Sequence, residues 1–105
     1  MPEHMIAAEI EPAPYRANQA ALALQRLGFR ILHIGPTISV QGPESLWVST
    51  FNVSFVPRKK TTVAGIEGSE VTYQKALVEG MQTPAELQPL IAEVMFAEPP
   101  EFYAS

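Results

Sequence analysis

The feature that most constrains this chain is the order in which its hydrophobic periodicity changes. Ile6, Ala8 and Ile10 alternate with Ala7, Glu9 and Glu11, which gives a strand over Met5–Glu11 one apolar face of period two. Pro12-Ala13-Pro14 stops it, because proline cannot donate to a ladder. Asn18 then stands as an N-cap for a helix reaching Leu27, with Ala20, Leu24 and Leu27 on one face. Gly28 supplies the left-handed residue that ends it. Phe29–Ile34 returns to period two, with Phe29, Ile31 and His33 on one side and Arg30, Leu32 and Ile34 on the other. Gly35-Pro36 turns the chain into Thr37–Gln41, where Ile38 and Val40 point inward; so short a connection implies an antiparallel hairpin. Gly42-Pro43 opens a second helix with Trp47, Thr50 and Phe51 as its core stripe, and Asn52–Pro57 is the fourth strand.

Beyond Arg58-Lys59-Lys60 the pattern weakens, and Thr61–Ile66 with Glu70–Gln74 reads as a hairpin around Glu67-Gly68-Ser69 or an exposed arm. Thr83-Pro84-Ala85-Glu86 has the form of a capping box with proline at N1. Leu87, Leu90, Ile91 and Val94 follow at helical spacing, so a helix is expected near 85–96 despite Pro89. Pro99-Pro100 begins a tail. The expected architecture is α+β: one domain over residues 1–105, ferredoxin-like in its β-α-β-β-α-β order, with helices on one face of an antiparallel sheet. An extra C-terminal helix and a tail from residue 97 complete it.

Chemistry is narrowed by what the chain lacks. It has no cysteine, and its eleven acidic residues are all Glu, so thiolate metal sites, cysteine nucleophiles and every Asp-dependent mechanism are closed. His4 and His33 are the only histidines; they match no metal-ligand spacing, and His33 reads as a packed or hydrogen-bonded residue at the core edge. The serines lack a glycine-flanked nucleophile setting, and Gly65-Ile66-Glu67-Gly68 lacks the glycines and the Gly-Lys-Ser/Thr of phosphate loops. No catalytic set, cofactor or metal is therefore expected. Net charge is −4, with the only basic cluster at Arg58-Lys59-Lys60 and an acidic C-terminal third, so a nucleic-acid partner is not expected. No basic region with an apolar run opens the sequence, and no uncharged stretch is long enough to span a bilayer. A cytoplasmic protein without membrane partners is the expectation.

Leu24-Gln25-Arg26-Leu27-Gly28-Phe29-Arg30-Ile31, then Ile38-Ser39-Val40-Gln41-Gly42-Pro43, then Trp47 and Phe51 together resemble the activation (pro-) domain of sedolisin or kumamolisin-like serine-carboxyl peptidases. In that family a helix ends in Leu-x-x-x-Gly-Phe, a hairpin reaches an Ile-x-Val-x-Gly strand, and a second helix ends in Phe nine residues after the glycine. Phe51 stands nine residues after Gly42. Thr83-Pro84-Ala85-Glu86-Leu87 with Ile91 and Val94 looks like the segment that closes such prodomains. The resemblance covers most of residues 5–96 and is thinnest from Arg58 to Gln82. It implies a domain that assists the folding of a peptidase and masks its active site. Because these residues include no peptidase catalytic set, the expectation is a free-standing, prodomain-like inhibitor or folding assistant acting in trans on a subtilisin-like or sedolisin-like peptidase. The partner surface implied is the sheet around Arg30, Leu32, Ile34, Ser54 and Val56, with Phe102 and Tyr103 of the tail near the cleft. The alternative is a protein–protein adaptor, or a homodimeric module whose sheet is covered by a second copy.

Overall fold

The computed structural model describes residues 4–61 and 70–97, the side chains of Lys60, Thr61 and Glu70 excepted. Eight elements follow one another: β1 (Met5–Pro12), α1 (Ala17–Leu27), β2 (Arg30–Ile34), β3 (Ile38–Pro43), α2 (Glu44–Phe51), β4 (Ser54–Thr61), β5 (Glu70–Leu77) and β6 (Ile91–Phe96). The fold is mixed α+β. Its main sheet has the order β2-β3-β1-β6 with every neighbour antiparallel, and β4 with β5 forms a separate two-stranded ribbon.

The first five elements form in the order and near the positions that the sequence pattern indicates. Ile6, Ala8 and Ile10 of β1 are buried beside Ile38 and Val40 of β3, as alternation requires. Helix α1 begins one residue before the expected cap, with Arg16 at the N-cap position and no side-chain bond there. It ends at Gly28, whose φ of 110° is left-handed and whose N–H reaches Gln25 and Leu24 carbonyls. Pro43 is the extended residue preceding α2 rather than its first helical one, at φ −68° and ψ 153°.

Phe29, Trp47 and Phe51 pack as one aromatic cluster, with ring centroids 4.6 Å apart for Phe29–Trp47 and 5.5 Å for Trp47–Phe51. The Trp47 indole N–H donates to the Ile6 carbonyl at 3.0 Å, so its polar atom is satisfied in the interior. Gly42 is fixed by the same cluster, since a Cβ there would lie 2.8 Å from Phe29 Cδ1 and 3.1 Å from Cε1. Gly42→Ala is expected to lower stability by about 1–2 kcal/mol through overpacking. A urea titration checks this; an unchanged midpoint would show that the ring moves aside at no cost.

Two expectations are corrected. The strand expected over 52–57 does not join the main sheet: β4 pairs along its whole length with β5, from Ser54↔Leu77 to Thr61↔Glu70. The place beside β1 is taken by β6, from residues where a helix was expected. Pro89 has no N–H to donate, and the chain from Pro84 makes only isolated turns. Leu87 and Gln88 donate to the Pro84 carbonyl at 2.9 and 3.1 Å, and Leu90 and Ile91 donate to Leu87 at 2.9 Å. A β-bulge then explains the misleading spacing. Glu11 lies opposite Glu93, but Pro12 lies opposite Ile91, so Ile91 and Val94 both reach the core although three residues separate them. The loop expected at Glu67-Gly68-Ser69 and the tail beyond Ala97 lie outside the described residues. Among the described residues no helix is long and apolar enough to cross a membrane.

Candidate functional site: the open face of the sheet

Alternation and register together assign the second face of the main sheet. Residues directly opposite one another share a face, so Ala7 and Gln41, then Glu9 with Ser39 and Met95, then Glu11 with Glu93, lie on the side away from the buried Ile6, Ala8 and Ile10. Both helices bury their apolar sides with that core. The opposite face is left open, with Met5 54% and Met95 39% exposed and Ala7, Glu11 and Glu93 exposed beside them.

A second bulge decides which β2 residues join this face. Ile31 lies opposite Val40 and His33 opposite Ser39, leaving Leu32 as the extra residue. Ile31 therefore keeps the inner face of Val40, while His33 passes to the open face with Ser39 and Glu9. The grouping of His33 with Phe29 and Ile31 is corrected accordingly: Phe29 is buried, and His33 is exposed rather than packed at the core edge. Arg30, opposite Gln41, also belongs to the open face.

At the centre of the face, Glu9 is held by two hydroxyls. Thr37 Oγ1 donates to Glu9 Oε1 at 2.6 Å and Ser39 Oγ donates to the same oxygen at 2.9 Å. The hydrogen bonds from Thr37 and then Ser39 lower the Glu9 pKa below its ordinary value, against the opposing effect of burial, and the charge interaction with His33 acts in the lowering direction. Ser39 spends its proton on the carboxylate rather than on His33, which is not the arrangement of an activated nucleophile. The site is a preorganised anion on a face that also carries Glu11 and Glu93 near it and Arg30 on β2; its acidic β1–β6 half suits a partner that presents donors or a cation.

The depressed pKa has a definite pH signature. A carboxylate with a folded pKa below its unfolded one contributes stability that is present above the unfolded pKa and lost as pH falls through the folded one. Replacing Thr37 by Val and Ser39 by Ala should return the Glu9 titration, followed by carboxyl carbon NMR, to the ordinary Glu range. A Glu9 that titrates at the same pH with and without the two hydroxyls would remove them as the cause.

The residues expected to form the partner surface are not brought together. Leu32 and Ile34 are 50% and 44% exposed on β2, but register places Ile34 opposite the inward Ile38 and Arg30 on the other side. Ser54 and Val56 belong to β4, in the ribbon and not the main sheet. Phe102 and Tyr103 lie outside the described residues. Met95, Glu93 and Ala7 were missed, the first two because their segment reads as helix. An open cleft of about 310 Å3 separates His4–Ala7 from Thr72–Gln74, with Ala97 at its rim. His4 Nε2 lies 3.3 Å from Gln74 Nε2 across it. Among the described residues no group of three His or Glu side chains is placed to hold a metal ion.

Comparisons with protein-family models, with curated proteins and with solved structures found no match for this chain.

Proposed function

We propose that this protein binds another protein through the open face of its four-stranded sheet, as a prodomain-like inhibitor or folding assistant of a subtilisin-like or sedolisin-like peptidase. The observation that carries the reading is a sheet with both helices on one side and Met5, Ala7 and Met95 uncovered around the fixed Glu9 carboxylate on the other. Exposed apolar side chains around a preorganised polar group, with Glu11, Glu93 and Arg30 further out on the same face, support reading it as a protein interface. The peptidase as partner comes from the sequence resemblance. We read the fold in the same sense, as a ferredoxin-like plan in which the β4–β5 ribbon is inserted ahead of the final strand. The motif residues Leu24, Gly28, Phe29, Gly42, Trp47 and Phe51 act in the core or its turns, so they specify the scaffold, and the binding determinants are the residues of the open face.

Inhibition kinetics against a panel of subtilisin-like and sedolisin-like peptidases test this. The wild-type chain should slow at least one of them, and Ala7→Arg with Met95→Arg should weaken that inhibition tenfold or more while leaving the thermal midpoint nearly unchanged. If no peptidase is bound and a non-peptidase is captured through the same face, the adaptor reading replaces this one. Inhibition that survives both arginines would move the binding surface elsewhere.

A further inference from the structure

The ribbon carries the opposite charge. Phe55 and Ala76 form a directly opposed pair in it, both pack on the core, and Phe55 meets Phe96 edge-on at 5.6 Å. That side of the ribbon faces the body of the molecule, as the approach of Gln74 to His4 also shows. Alternation puts the pairs Val56↔Lys75 and Arg58↔Tyr73 on the other side, facing away. Arg58 and Lys75 lie there with Val56 and Tyr73 between them, a basic surface interleaved with apolar ones. Eight residues per strand make the ribbon about 26 Å long, the length of the eight-residue β1 that crosses the open face.

From these two surfaces we infer that the outward side of the ribbon docks on the open sheet face of a second copy of this chain. The β1–β6 half of the open face presents Glu9, Glu11 and Glu93 around Met5 and Met95, with Arg30 and His33 lying apart on β2; the ribbon presents Arg58 and Lys75 around Val56 and Tyr73. Charge and apolar area are thus complementary in both partners. Each copy carries both surfaces, so one two-fold axis engages two ribbons and two faces, a closed dimer that doubles the area buried by a single docking. Self-association then occupies the face assigned above to a peptidase, and the two bindings compete. The inference stands without the peptidase reading, because its test needs this chain alone.

Sedimentation equilibrium on the full chain provides the test. The wild-type protein should form dimers that dissociate as salt is raised. Arg58→Glu with Lys75→Glu reverses the ribbon, and Glu11→Lys with Glu93→Lys reverses the face; each double variant alone should dimerise at least tenfold more weakly. An equimolar mixture of the two should restore dimers, since reversed ribbon then meets reversed face and each native surface meets its native counterpart. Circular dichroism of each variant confirms that folding is retained. A wild-type chain that stays monomeric up to millimolar concentration would overturn the inference. So would a dimer indifferent to both reversals, or a mixture that remains monomeric.

Discussion

Replacing Trp47 by Ala should lower the stability of the domain by about 3–5 kcal/mol, a large part of what a domain of this length possesses. The indole is fully buried and touches three other rings: Phe29 at 4.6 Å, Phe51 at 5.5 Å and Phe96 at 4.9 Å between centroids. Its removal also deprives the Ile6 carbonyl of its donor, an added penalty that Trp47→Phe isolates because that change keeps most of the apolar volume. Denaturant unfolding of the two variants should therefore separate a packing loss from a smaller hydrogen-bond loss. Equal losses in both would mean that the Ile6 carbonyl contact dominates.

Phe96→Ala should cost about 2–3 kcal/mol, less than Trp47→Ala because Phe96 is half-buried. Its ring links three elements, meeting Trp47 of α2 at 69° and Phe55 of β4 at 85° between planes. The loss should be accompanied by faster amide exchange in β4 and β5, whose anchoring to the body includes Phe55 together with Ala76. Hydrogen exchange read residue by residue checks this. If the ribbon amides keep their protection while the main sheet loses it, Phe55 holds the ribbon without Phe96.

Most of the framework was legible because it obeys two simple periods. The alternation in Ile6–Ile10 and Ile38–Val40, the helical stripe ending at Gly28, and the Trp47/Phe51 pair all sit where the residues indicate. The errors at β2 and β6 share one physical cause. A β-bulge inserts one residue and so changes the phase of every side chain beyond it, and period-two reasoning cannot see the insertion. At Leu32 it moved His33 from the expected core edge to the open face. Near Ala92 it gave Ile91 and Val94 the three-residue spacing of a helix stripe within a strand. The pairing of β4 was illegible for a different reason. Val53 and Phe55 are equally suited to a main-sheet strand or to a ribbon whose base reaches the core, and only the long-range choice of partner distinguishes them. The open face inherited both errors, since half of it is set by β6 and by the phase of β2.

The central claim is that partner binding belongs to this face, and amide chemical-shift mapping tests it most directly. A subtilisin-like or sedolisin-like peptidase with its nucleophile substituted is added to isotopically labelled protein. The account predicts shifts concentrated at Ala7, Glu9, Gln41, Glu93 and Met95, with α1 and α2 unmoved. Shifts concentrated on the helices, or no shift with any such peptidase, would contradict it.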